Sequence, residues 1–322
     1  MLTYLLGADD LTDIRFAISP MAETVLSLRA LRRPERFPLH LAWVESVRRR
    51  SGGLDWDVLM SLVNEGMGSP DFLTPRPTSP LTSVEEDLAV VAAVDRQVAL
   101  EQLEKVNGTV PPAVAGQDAV GRVTTALRGY WEALIAPHWA RMHGIMSADI
   151  VYRGRVQTED GSGAMLDDLG ESFEYERGEL RVSGVSDPSR TEAIGGRGLT
   201  LLPTMFGPHA AIPYEIGGLP ELFYPARGQG LMWSTPAAVD AADLGRLIGP
   251  PRARILTLLE QPHSTAHLAR LLGVTPSAVS QHLRLLHRFG LVNAARHGRY
   301  VLYERTDLGS ALHDGSVAGP SG

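Results

Sequence analysis

The most regular hydrophobic pattern along the chain runs from Ser264 to Glu304. Leu268, Leu271 and Leu272 recur at three- and four-residue spacing after Ser264, which predicts a short capped helix with one buried stripe. Gly273 ends that helix, since glycine takes the left-handed turn conformation without strain, and Val274 is expected to plug the apolar side of the turn. Thr275 and Pro276 then open a second helix, in which Val279, Leu283 and Leu286 face inward at i, i+4 and i+7, with Phe289 just beyond. Gly290 closes it. Leu291 and Val292 lead into a polar tip, Arg296-His297-Gly298-Arg299, and Tyr300, Val301, Leu302 and Tyr303 return as a second strand. Two short helices about a tight turn followed by a hairpin predict a winged helix-turn-helix.

Upstream the periodicity is helical to about residue 148. Ser19-Pro20 starts a helix running through Leu31, and Ser83 with Glu86 forms a capping box ahead of a stripe of Val84, Leu88, Val91, Val94 and Val98. A third helix carries Val120, Val123, Leu127, Trp131 and Leu134 until Pro137 bends or interrupts it. Met67 to Thr82, with four prolines, reads as a surface loop, and Asn107 to Gly116 as another. From Ser172 the pattern turns extended. Residues 172–176 and 179–184 flank Arg177-Gly178, a two-residue hairpin signal, and residues 198–203 and 221–225 are further strands. The predicted fold class is α+β: a helical N-terminal domain over 1–148, a small antiparallel β region over 149–235, a winged helix over 236–310 entered by a helix from Pro236, and a disordered tail over 311–322.

Composition sharpens this outline. A chain of 322 residues holds two or three domains. It contains no cysteine, which excludes disulfides and thiolate chemistry, and no apolar run approaches a membrane span. The N-terminus lacks the basic start and apolar stretch of a secretion signal, so a cytoplasmic protein is expected. The net charge of −7 is unevenly spread: residues 243–305 carry nine Arg against three acids, net +6, while residues 1–242 carry 21 basic and 32 acidic side chains, net −11. Positive charge collects where the helix-turn-helix is expected. The 29 Arg against one Lys reflect GC-rich coding and not 29 phosphate contacts.

The second helix carries the candidate chemistry. Opposite its apolar stripe lie Ser277, Ser280, Gln281, Arg284 and Arg288, with Thr275 at its start and His282 at the edge of the face. Gln pairs bidentately with adenine and Arg with guanine, so Gln281 and Arg284 are the candidate base readers, and Ser277 and Ser280 the candidate phosphate contacts. Arg296 and Arg299 at the hairpin tip can reach a backbone or a minor groove. An ordinary solvated surface would explain each arginine alone. It does not explain why an acid-free helix face and a basic tip occur together. Double-stranded DNA is therefore the expected partner, with a second copy of the chain and a small-molecule effector as further partners.

The sequence carries no catalytic signature. Gly195-Gly196-Arg197-Gly198 lacks the Lys-Ser/Thr of a phosphate loop and reads as a turn; His138 and His143, beside Trp139 and Met142, could line a pocket but more often pack. His263, His267 and His313 show no metal-ligand spacing. No enzyme, cofactor or metal is expected. A protein-interaction module using the same helix face, or an enzyme fused to a DNA-binding domain, are the alternatives.

Asp243 to Asp307 resembles the ArsR-type winged-helix regulators. The resemblance is carried by residues 252–260 (RARILTLLE), 268–292 (LARLLGVTPSAVSQHLRLLHRFGLV) and 298–304 (GRYVLYE). It implies a DNA-binding transcriptional regulator acting as a homodimer on an inverted repeat. The metal-sensing branch of that family uses a Cys pair, and this chain has none. Residues 10–23, 196–206 and 224–228 are similar to the uncharacterised domain that precedes such winged helices in regulators of high-GC bacteria, a family that implies no chemistry of its own.

Overall fold

The computed structural model describes residues 1–49, 52–77, 79, 80, 82–184, 190–213, 220–233, 241–297 and 300–314. They fall into two compact units, Met1–Trp233 and Ser234–Gly322. The first contains β1 (Leu2–Leu5), α1 (Ala8–Thr12), β2 (Ile14–Phe16), α2 (Pro20–Arg32), α3 (Leu41–Arg49), α4 (Trp56–Ser61), α5 (Val84–Ala92), α6 (Arg96–Asn107), α7 (Ala119–Tyr130), α8 (Ala136–Asp167), β3 (Phe173–Glu176), β4 (Glu179–Val182), β5 (Arg190–Ala193), β6 (Leu199–Thr204) and β7 (Glu221–Pro225). The second contains α9 (Ala241–Ile248), α10 (Pro250–Leu258), β8 (His263–Ser264), α11 (Thr265–Leu272), α12 (Pro276–Arg288), β9 (Val292–His297), β10 (Tyr300–Arg305) and α13 (Asp307–Asp314).

The regions separated at residue 148 on sequence grounds share one unit. Strands β1 and β2, too short at four and three residues to show alternation, enter sheets completed by residues 173–225. One sheet has the order β3-β4-β1-β5, antiparallel except for the β1/β5 pair, and the other, β2-β6-β7, is wholly parallel. The expected small antiparallel region is therefore mixed. Of the four strands expected in it, the pair about Arg177-Gly178 is antiparallel, with φ of 49° and 89° at the two turn residues, whereas those at 199–204 and 221–225 pair parallel in the other sheet. Helix α8 crosses residue 148 without a break and kinks farther on at Gly161 (φ 89°), and its buried Asp149 accepts a hydrogen bond from the Tyr224 hydroxyl on β7 at 2.7 Å and from the Arg227 amide at 3.0 Å. Arg153, one turn on, is buried between Asp149 and Asp168.

Other boundaries follow from local chemistry. Ser19 caps α2 through the Ala22 amide, and the buried Asp87 carboxylate of α5 accepts from Ser19 Oγ at 2.9 Å, tying the two helix starts together. The apolar stripe read from Val84 to Val98 is two helices: Asp95 accepts from the Gln97 and Val98 amides and starts α6, leaving Val98 exposed. The proline-rich loop dips inward, with Phe72 and Leu73 buried in a short 3-10 turn. Pro137 breaks nothing, since it stands in the first turn of α8 after a π-helical turn over Trp131–Ile135. The Gly195–Gly198 stretch is a turn whose Gly196 amide donates to the buried Asp10 carboxylate at 2.7 Å, beside an open cleft of about 400 Å3; that amide is already taken by an anion of the protein itself.

Near the end of the unit, Met205 is held on both sides. Its amide donates to Glu23 Oε2 at 2.9 Å, and its carbonyl accepts from His40 Nε2 at 2.8 Å, while the indole N–H of Trp233 donates to His40 Nδ1 at 2.9 Å. Trp43 stacks on Trp233, and the His138 ring meets it edge-on. His143 instead lies near Trp139 and Ser147, so the two histidines do not converge. Burial pushes the His40 imidazole down to about 4 and the Glu23 carboxyl up to about 7, the latter opposed by hydrogen bonds from Thr204 and Met205. An acid raised in the folded state makes its largest contribution to stability below its unfolded value near 4.5 and loses it as pH rises to about 7. Glu23→Gln keeps an acceptor for the Met205 amide and removes the ionisation. Thermal unfolding is expected to show a gain in Tm over wild type that grows between pH 4.5 and about 7 and then levels off; a gain independent of pH would overturn the assignment.

Candidate nucleic-acid interface

Each end of the helix-turn-helix is fixed by the residue type the sequence supplies. The Ser264 hydroxyl accepts from the His267 amide at 3.3 Å, Gly273 adopts φ 69° at the C-cap of α11, and Thr275 Oγ1 accepts from the Ala278 amide at 3.3 Å to start α12. Pro276 occupies the first turn, where no amide partner is needed. Val279, Leu283 and Leu286 of α12 are buried with Leu268 of α11 and Ile255, Leu256 and Leu259 of the preceding segment. That core sets which face of α12 looks outward.

The outward face is the predicted one. Ser277, Gln281, Arg284 and Arg288 are exposed. At about 100° per residue, their spacing of four, three and four makes a single stripe along the helix. Thr275 is exposed at the helix start, and Ser280 is half-buried beside the stripe. Its carbonyl accepts from Arg284 Nε at 3.3 Å, which lays the guanidinium back along the helix. His282 is half-buried and turned away by roughly 100° from Gln281, farther from the stripe than the edge position expected for it. Among the described residues none of Arg284, Arg288 and Arg296 has a carboxylate within ion-pair distance.

The two strands pair as expected, but Arg296 and His297, read as part of the tip, belong to β9. Strands β9 and β10 pair antiparallel from Val292↔Arg305 to His297↔Tyr300, and β8 extends the sheet through Ser264↔Leu302. Arg296 is exposed on β9, opposite Val301. Arg299 and Gly298 lie outside the described residues. The hairpin is joined to the end of α12: His287 Nδ1 donates to the Val292 carbonyl at 2.9 Å, and the Leu291 amide to the Leu286 carbonyl at 2.9 Å.

Several apolar expectations fail at the surface. Leu271 and Val274 are exposed, and Phe289 is 65% exposed, because Gly290 turns the chain back at φ 68° before that ring can reach the core. The connector expected from Pro236 is, among the described residues, α9 from Ala241 and then a separate α10 beginning at Pro250. Residues 311–314, read as tail, are helical in α13, whose start is fixed by the Gly309 amide donating to Thr306 Oγ1 at 3.0 Å and whose Leu312 packs on the core. Leu247 on α9 and Leu308 on α13 are exposed, and no sequence pattern marks them out. Their helices touch each other. His263 and His267 have adjacent rings at 4.6 Å, while His313 faces Thr257 Oγ1 at 3.1 Å.

Residues 249–294 match the family described as bacterial regulatory protein, arsR family. The HTH-type transcriptional regulator NmtR of Mycobacterium tuberculosis is 41% identical over 75 residues, which are 23% of this chain and 62% of that protein. Reduced HlyU from Vibrio cholerae shares 30% identity over 22% of this chain and 81% of its own, with a TM-score of 0.20. A structure of ZitR from Lactococcus lactis shares 30% identity over 20% of this chain and 46% of its own, with a TM-score of 0.19. The chain thus spans less than two thirds of the length of NmtR and about half of the ZitR chain. The likeness is to an ArsR-family helix-turn-helix in the C-terminal unit.

The hydroxyl of Thr275 tests how the start of α12 is held. Thr275→Ala is expected to lower stability by about 1 kcal/mol and Thr275→Ser to leave it nearly unchanged. Urea unfolding followed on the C-terminal unit measures both, and equal midpoints for the alanine variant and wild type would remove the capping argument.

Proposed function

We propose that the chain is a DNA-binding transcriptional regulator of ArsR type, acting in the cytoplasm. The observation that carries this reading is the exposed stripe Ser277-Gln281-Arg284-Arg288, free of acidic partners among the described residues, on a capped helix whose other face is buried, within residues that match the arsR family. Such a helix fits a major groove. Gln281 and Arg284 read base edges, Ser277, Ser280 and Thr275 reach phosphate oxygens near the helix start, and Arg288 takes a phosphate at its end. Arg296 and Arg299 bring the hairpin to the flanking backbone, and His282 stays at the margin. Residues 1–233 receive an effector or a partner.

Selection of bound sequences from a random duplex pool, followed by binding of variants, tests the reading. Alanine at Gln281 or Arg284 is expected to cost about 1–3 kcal/mol on the selected site and to relax preference at one base position. Arg288→Ala and Arg296→Ala are expected to weaken all duplexes alike and to make the slope of log affinity against log salt less negative by about 0.9 for each phosphate no longer neutralised. A double Gln281/Arg284 variant that binds its site like wild type would remove the base-reading assignment.

One winged helix has a small footprint, and a homodimer on an inverted repeat doubles it. Leu247, 72% exposed on α9, and Leu308, 59% exposed on α13, support a surface for a second copy formed by helices flanking the domain. Leu247→Asp is expected to shift sedimentation at micromolar concentration from dimer to monomer. Wild type that sediments only as monomer, free and on DNA, refutes the dimer.

A further inference from the structure

Glu221, the first residue of β7, is 5% exposed, and its carboxylate makes no hydrogen bond among the described residues. Buried carboxylates are rarely left in that state, because the lost hydration has no replacement. Burial pushes this one up to about 7, opposed by the nearby Arg76 guanidinium and reinforced by Asp71. Yet Arg76 does not close on it. Arg76 Nη2 donates instead to Thr200 Oγ1 at 2.7 Å, and Thr200 is the residue paired with Glu221 across β6 and β7. The other guanidinium nitrogen, Nη1, is buried without a partner among the described residues, as is Glu221 Oε2.

An unused donor and an unused acceptor of opposite charge, held apart by Thr200, call for one molecule that presents the complementary pair. We propose that Arg76, Thr200 and Glu221 form a binding site for a small zwitterion of the α-amino-acid class. Its carboxylate takes Arg76 Nη1, and its ammonium takes Glu221 Oε2. Monofunctional ions fit worse, since each would leave one of the two buried groups unpaired, and an unpaired buried charge costs more than a missing hydrogen bond at the surface. The site belongs to the first unit and stands whether or not the second binds DNA.

The test uses the full chain, thermal unfolding and calorimetric titration, with each of the common free α-amino acids as probe and acetate and ethylamine as monofunctional controls. At least one amino acid is expected to raise Tm saturably, and neither control to do so. Glu221→Gln removes an uncompensated buried charge, so it is expected to fold with equal or higher Tm while binding the amino acid about tenfold or more weakly. Arg76→Lys keeps the charge but loses the planar fork, and is expected to weaken binding in the same way. A chain that no amino acid stabilises, equal shifts with acetate or ethylamine, or undiminished binding in both variants overturns the proposal. In the first case the groups are joined by water alone.

Discussion

Strand β6 has no solvent face, and the first unit is arranged around that constraint. All six of its residues are buried. Leu202 belongs to the helical core with Met21, Leu88 and Tyr130, whereas Leu199 and Leu201 belong to the second core with Leu2, Leu180 and Tyr224. A one-residue slip in its register would send each set into the opposite core, where the neighbouring side chains are not shaped for it. Its neighbours β2 and β7 both run parallel to it, and because β2 comes from the N-terminal residues and β7 from residues 173–225, those two stretches share one unit. Pro203 is tolerated in the middle strand because β2 ends at the Phe16↔Leu201 pair, leaving no ladder on that side at Pro203.

The same constraint explains what the sequence concealed. A strand buried on both faces shows an apolar run without alternation, so residues 199–202, apolar except for Thr200, could be recognised as extended but not placed between parallel neighbours. Its partner β2 has three residues, fewer than any periodicity can reveal. The capped helices were legible, α2 from Ser19-Pro20 and α5 from Ser83 with Glu86, because a cap is a local chemical event. Where two helices share a stripe, as at Val84 to Val98, the aspartate that restarts the second is masked by the stronger hydrophobic signal.

The candidate interface was more legible than the fold, for a related reason. Gly273, Thr275 and Pro276 fix the turn and the start of α12 within a few residues of one another, and the three buried positions Val279, Leu283 and Leu286 fix its rotation. Once cap and rotation are fixed, the outward residues follow with no knowledge of the rest of the chain. Exposure at Leu271, Val274 and Phe289 was not legible, since whether an apolar residue at a helix end reaches a core depends on what lies beside it.

One histidine forms a joint that acid opens on one side alone. His40 must accept the Trp233 indole hydrogen on Nδ1 while donating from Nε2, which only one neutral tautomer can do. A second proton on that ring turns the acceptor into a donor and sets two N–H groups against each other. Acid that reaches the lowered range of this ring, about 4, therefore releases the Trp233 indole while the Nε2 bond to the Met205 carbonyl persists, so a single ring opens on one side and holds on the other.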